Sequence, residues 1–172
     1  MREIKFRGKN AKGEWAFGSL IVNEIENDKG KFKVAFIVPG LPCASDGGDF
    51  YTARMERVKI ETICQFTGVI DMYGEEVYEG DIVSMGGEPE NKRIVAYYEE
   101  AFNIATVDEY CSLLSGAHPY LNDYAHMNCL NTWSNTGLVR VIGNIYDDPS
   151  ILGSKELIEL MKKNNMLNPS TN

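Results

Sequence analysis

The chain has 172 residues, 44% of them apolar and 24% charged, with 17 basic against 25 acidic side chains and a net charge of −8. This length fits one domain or two small ones, and the apolar fraction supplies a real core, which excludes disorder over the whole chain. No apolar run approaches the roughly 18 residues of a spanning helix. The N-terminal MREIKFRGK lacks the apolar stretch of a secretory leader. A soluble cytoplasmic protein without a membrane partner is expected.

Residues 2–8 alternate, with Ile4, Phe6 and Gly8 on one face and Glu3, Lys5 and Arg7 on the other. The turn signal NAKG at 10–13 leads into a second strand over 14–22 through Trp15, Phe17 and Leu20, which predicts an antiparallel hairpin. Residues 31–38, KFKVAFIV, alternate and then become continuously apolar, predicting a third and more buried strand. Residues 39–50, PGLPCASDGGDF, have loop composition. A strand pattern returns over 57–66, and the tetrapeptide Asp71, Met72, Tyr73, Gly74 suits a type I turn. The stretch 75–83 follows, then a Gly, Pro and Glu loop over 85–91. Strands are predicted at 92–98 and 102–107, joined by a tight turn at Glu99 and Glu100.

Asp108 is placed to cap a short helix containing Tyr110, Leu113 and Leu114 and ended by Gly116. Pro119 opens a Tyr, Asn and His-rich stretch with no readable periodicity. Order returns at 137–146, GLVRVIGNIY, a strand whose core face is Val139, Val141, Gly143 and Ile145 if it is regular. Asp148 is a cap with Pro149 at the first helical position. Ser154 opens a terminal helix with Leu157, Ile158, Leu160 and Met161 as its apolar stripe. The fold class is mainly β, with α+β open, and its strands are antiparallel. Three regions follow: a β-hairpin-rich 1–60, an acidic β-barrel-like 61–153 with an insertion at 108–134, and a C-terminal helix and tail at 154–172.

Charge divides the same way. Residues 1–60 hold 11 basic and 8 acidic side chains, for +3, and residues 61–153 hold 3 and 15, for −12. Such asymmetry suits contact between the oppositely charged parts, within the chain or between copies. In an assembly, the basic N-terminal hairpin is expected to meet the acidic 71–81 stretch of a neighbour. The alternative is a nucleic-acid-binding module using Arg2, Lys5, Arg7, Lys9 and Lys12, with Trp15 or Phe17 for stacking.

Motifs for chemistry are sparse. Cys43, Cys64, Cys111 and Cys129 form no CxxC pair and are expected to be reduced thiols. Cys111, His118, His126 and Cys129 lie within nineteen residues and are the candidate metal ligands of a metal-dependent enzyme, though their spacing matches no zinc pattern. The carboxylates Asp71, Glu75, Glu76, Glu79 and Asp81 lack the DxDxDG order of a calcium loop, and read best as a solvated hairpin edge. There is no GxSxG elbow and no GxxxxGK[ST] loop, so neither a catalytic residue nor a cofactor is assigned. Trp15, Phe17, Phe66, Tyr78 and Tyr146 are suited to a sheet core.

Three segments in order, IKFRGK with GEWAFGSL (4–9 and 13–20), ETICQFTGVIDMYGEEVYEGDIV (61–83) and VIGNIYDDPSIL (141–152), resemble the YopX family of phage and prophage proteins. The resemblance implies a largely β fold, self-association and no established enzymatic activity. It therefore points to a non-enzymatic accessory protein in a bacterial host cell, acting through protein contacts as a homo-oligomer or on an unknown phage or host protein. Residues 108–134 depart from the family pattern.

Overall fold

The NAKG turn works through one side chain. Asn10 Oδ1 accepts from the backbone N–H groups of Lys12 (2.9 Å) and Glu14 (3.0 Å), while Gly13 N donates to Asn10 O at 3.0 Å. This Asx turn joins strand β1 (Phe6–Lys9) to β2 (Trp15–Asn27) in an antiparallel pair with Arg7 opposite Phe17. The computed structural model describes residues 3–28, 30–39, 43–44, 50–51, 55–86, 88–117, 129–135 and 137–167. Arg2, His118, His126, the 119–128 stretch, most of the 39–50 loop and the end of the tail lie outside them.

The chain divides into two units, Met1–Phe66 and Thr67–Asn172. In the first, β2 continues into a long hairpin with β3 (Gly30–Val38), in the register Ile21–Phe36, Ile25–Phe32 and Asn27–Gly30. After the short pair β4 (Cys43–Ala44) and β5 (Phe50–Tyr51), β6 (Glu56–Val58) adds to β3 with Ala35 opposite Val58. The predicted strand over 57–66 is broken: a 3-10 turn at Ile60–Thr62 separates β6 from β7 (Cys64–Ile70). Thr62 Oγ1 closes that turn by donating to Lys59 O at 2.8 Å. Cys64 and Gln65 then pair with β1. Ala16, Ala35, Ile37 and Val58 form this unit's core, with Phe6, Leu20 and Ile63 packed on it. Phe17, read as a core aromatic, is exposed, and Arg7, read as a contact for nucleic acid, is buried.

In the second unit β8 (Glu76–Tyr78) lies beside β7, and β9 (Asp81–Met85), β10 (Glu88–Tyr98), β11 (Ala101–Ala105) and β12 (Val139–Asn144) make a sheet ordered β11-β10-β9-β12. All five residues of β9 are buried because the sheet is covered on both faces. Val83, Val95, Ile104 and Val139 pack with Val69, Val77 and Leu130 on one side. Ile82, Ile94, Ala96 and Ile145 pack with Leu157 and Met161 on the other. The tight turn at Glu99 and Glu100 is present, with φ of 52° and 64°, and Asn103 Nδ2 donates to Tyr98 O at 2.9 Å to hold it. The predicted 85–91 loop is largely strand: β10 starts at Glu88 and absorbs the misfit as an irregularity between Glu88 and Lys92.

Helix α1 (Val107–Leu114) is capped by Thr106 rather than Asp108, in a reciprocal capping box with Glu109. It ends as expected at Gly116 (φ 75°), where Gly116 N donates to Leu113 O and Ala117 N to Ser112 O. A short helix α2 (Leu130–Ser134), absent from the sequence reading, buries Leu130. Pro149–Leu152 is a 3-10 turn in which Asp148 makes no side-chain cap. Ser154 caps α3 (Lys155–Lys163) by accepting from Leu157 N at 3.2 Å. The fold is mainly β, with antiparallel sheets and a short C-terminal helix.

Candidate interaction surface

The first unit's long hairpin is amphipathic. With Ile25 opposite Phe32, one face of the ribbon carries Ile21, Ile25 and Phe32, which are 40%, 42% and 39% exposed. The other carries Glu24 opposite Lys33 and Glu26 opposite Lys31, with Lys31 Nζ also 3.8 Å from Glu24. β1 pairs with β2 only at Trp15–Gly18, and β6 with β3 only at Ala35–Ile37. Among the described residues no strand therefore covers the outer edges over 20–26 and 31–34. Backbone donors and acceptors on both edges, beside an apolar face, are the features that pair strands between chains.

The basic N-terminal strand is arranged differently. The Arg7 guanidinium lies 4.6 Å from the centre of the Trp15 ring and Lys9 Nζ 5.1 Å from it, and Lys5 Nζ sits 4.7 Å from the centre of the Phe66 ring. Three of the residues read as a nucleic-acid contact thus stack on aromatic rings of their own unit, and Arg7 is buried. Lys12 is exposed in the Asx turn.

The acidic stretch is no solvated edge at its two ends. Asp71 is buried: its Oδ1 accepts from Tyr73 N (2.7 Å) and Glu75 N (2.9 Å), and its Oδ2 from Val141 N (3.0 Å). Asp81, also buried, accepts from Tyr78 N at 2.7 Å, and the Tyr78 hydroxyl donates to Glu76 at 2.8 Å. These carboxylates hold turns, and Asp71 and Asp81 are thereby taken out of the contact with a neighbour expected for the 71–81 stretch.

Cys64, Cys111 and Cys129 carry no disulfide. Cys111 is buried in α1, and burial first, then the Glu156 and Asp108 carboxylates, push its thiol above the ordinary range, which disfavours the thiolate a metal needs. Cys129 precedes α2, and no metal-holding cluster occurs among the described residues. Sequence reasoning missed the ribbon as a surface: Ile21 and Phe32 fall in predicted strands, but the predicted strand over 14–22 stops short of Ile25, which β2 includes.

Both units are mainly antiparallel β, and among the described residues the first carries an amphipathic ribbon with uncovered strand edges. The YopX protein family profile matches residues 5–153, and the chain belongs to that family. Among solved structures it is similar to protein EF1440 from Enterococcus faecalis, at 21% identity over 88% of this chain and 99% of that one, with a TM-score of 0.46. Comparison with curated proteins gives no match. No helix among the described residues is long and apolar enough to cross a membrane.

Proposed function

We propose that this YopX-family chain is a non-enzymatic accessory protein of phage or prophage origin that works through protein–protein contacts, with its own copies as first partner. The observation that carries the reading is the exposed Ile21, Ile25 and Phe32 face beside two uncovered strand edges. The acidic edge of the ribbon, Glu24 and Glu26, and its basic edge, Lys31 and Lys33, already match each other within the hairpin. Laying the β3 edge of one copy antiparallel on the β2 edge of the next repeats that register, with Ile25 again opposite Phe32. The contact is head-to-tail, and closes into a ring if its rotation allows. Exposed ion pairs contribute about 0–1 kcal/mol each, so apolar burial supplies the affinity and charge sets the register.

Light scattering on a size-exclusion column tests it. The unmodified chain should run as an oligomer, Ile25→Asp with Phe32→Asp should run as a monomer, and Glu24→Lys with Glu26→Lys should lose mass. Adding Lys31→Glu and Lys33→Glu to the latter should restore the oligomer. A monomeric unmodified chain at high concentration ends the proposal, and an oligomer indifferent to all four charge reversals ends the register.

A further inference from the structure

Residues 61–153 hold three bases, Lys92, Arg93 and Arg140, against 15 acidic side chains. Among the described residues none of the three makes an ion pair. Lys92 Nζ donates to Ile151 O at 2.8 Å, Arg93 Nη1 donates to Lys92 O at 2.9 Å, and the Arg140 guanidinium lies 5.3 Å from the centre of the Tyr73 ring. We propose that Arg140 and Tyr73 are the centre of a docking site for an extended segment of another protein, one that carries a single carboxylate between apolar side chains within a basic stretch. The site shares no residue with the amphipathic ribbon, and it stands whether or not the chain assembles.

β12 and the turn before β8 build it. Arg140 stands opposite Ser84, and Ser84 opposite Lys92, so all three point to one face of the sheet, the face of Ile82 and Ile94. Around Ile82 that face is covered by α3 and the 149–152 turn, onto which Lys92 is drawn. Arg140 is exposed, and so is Leu138 two residues before it, whose carbonyl accepts from Gly86 N at 3.1 Å. On the outer side of β12 the 71–75 turn is tied on, with Met72 N donating to Val139 O at 3.1 Å and Val141 N to Asp71 Oδ2 at 3.0 Å. Tyr73 is thereby held beside Arg140 while 65% exposed, more than any other large apolar side chain among the described residues. Ring and guanidinium are placed before any ligand arrives, which lowers the ordering cost of binding.

The chemistry selects the ligand. A ring attracts a guanidinium without supplying an oxygen acceptor, so the fork of Arg140 that fits a carboxylate is left to a ligand. Tyr, Met and Arg are enriched at protein interfaces, and Tyr and Arg supply many of their hot spots. Met72, Tyr73 and Leu138 offer exposed apolar surface to the side chains on either side of that carboxylate. The surroundings set the ligand's other charges. Glu75 in the same turn, and Glu88 and Glu90 at the start of β10, are exposed. They repel a polyanion such as nucleic acid, and they attract basic residues that flank a lone carboxylate. A cation ringed by acids is complementary to a carboxylate ringed by bases.

The full chain is tested by fluorescence polarisation, at low salt, against labelled and amidated heptapeptides KKXDXKK in which X is leucine, phenylalanine, tyrosine or tryptophan. The best of them should bind, its KKXNXKK counterpart about tenfold more weakly, equivalent to about 1.4 kcal/mol, and its EEXDXEE counterpart more weakly by at least as much. Arg140→Gln should bind the aspartate and asparagine peptides alike, Tyr73→Ala should weaken both, and the remote control Lys155→Gln/Lys162→Gln should match the unmodified chain. Far-ultraviolet circular dichroism establishes that each variant is folded. Failure of every KKXDXKK peptide to bind overturns the proposal. So does an aspartate preference that survives Arg140→Gln, or acidic flanks that bind as tightly as basic ones. Light scattering separates this site from the ribbon: Arg140→Gln with Tyr73→Ala should keep the mass of the unmodified chain, and a fall would assign the patch to a second copy and overturn the foreign partner.

Discussion

Replacing Asp71 by asparagine separates a structural carboxylate from a chemical one. Asp71 brackets the turn 71–75 against β12: one oxygen takes two turn N–H groups at 2.7 and 2.9 Å, the other takes Val141 N at 3.0 Å. The backbone repeats the connection, with Met72 N donating to Val139 O at 3.1 Å and Asp71 N to Glu75 O at 2.8 Å. Asparagine keeps one acceptor and turns the other into an N–H donor facing a backbone N–H. Hydrogen bonds to charged groups are worth about 1.5–3 kcal/mol each, and Tyr73 and Glu75, which supply the two turn donors, are exposed residues. The cost of Asp71→Asn should therefore be that of one charged bond plus a donor–donor conflict, about 2–3 kcal/mol, with Asp71→Ala near 3 kcal/mol. Urea unfolding followed by circular dichroism measures both. Glu75→Gln, an exposed neighbour in the same acidic stretch, should stay within about 0.5 kcal/mol of the unmodified chain. An Asp71→Asn variant as stable as the parent would refute the bracket.

Ile145 is fully buried and anchored by its N–H on Gly80 O at 3.0 Å, so Ile145→Ala, which deletes three carbons at about 0.8 kcal/mol each and leaves a cavity, should lose about 3–4 kcal/mol in urea; a loss below about 1 kcal/mol would place it outside the core. Gly18 has φ of 150°, and a Cβ there would be driven into the Val38 carbonyl oxygen, so Gly18→Ala should cost several kcal/mol, on the order of 3 or more, and a melting temperature equal to the parent's would contradict this geometry. The Cys111 thiol is raised by burial and by Glu156 and Asp108, so the folded chain holds that proton more tightly than the unfolded one. Its contribution is complete below the unfolded thiol's range and is lost as pH climbs through the folded thiol's range. Cys111→Ala should therefore flatten the alkaline fall in stability, measured by urea midpoints across alkaline pH. Reductant and chelator should each leave the melting temperature unchanged; a fall with chelator alone would revive Cys111, His118, His126 and Cys129 as a metal site.

Local rules were legible wherever one side chain decides the conformation. The Asn10 turn, the Glu99–Glu100 turn, the Gly116 helix stop and the Ser154 cap all follow from short-range chemistry, and each is where the residues place it. Alternation was less reliable where a strand is irregular. The stretch 137–146 reads as one regular strand with Ile142 and Ile145 on opposite faces. A register shift between Val141 and Gly143 instead turns the chain, and Ile142 and Ile145 pack against the same cluster. The 57–66 stretch fails for a similar reason, because nothing in its alternation announces that Thr62 will fold it back onto Lys59. Proline and glycine hid the start of β10, since the loop composition of 85–91 outweighed a pairing that tolerates an irregular beginning.

The surfaces were harder to read than the elements, and the reason is physical. Alternation reports which side chains share a face, not whether anything covers that face. Ile21 and Ile25 alternate as Ala35 and Ile37 do, yet the first pair is exposed and the second fully buried, because Ala35 and Ile37 stand opposite Val22 and Leu20 on the other face of the sheet, the one packed with Ala16 and Val58. Charge misleads in the opposite direction. Arg7 and Asp71 were assigned to solvent by residue type, and each is buried with a partner that sequence distance conceals: Trp15 across a hairpin, and Val141 seventy residues away.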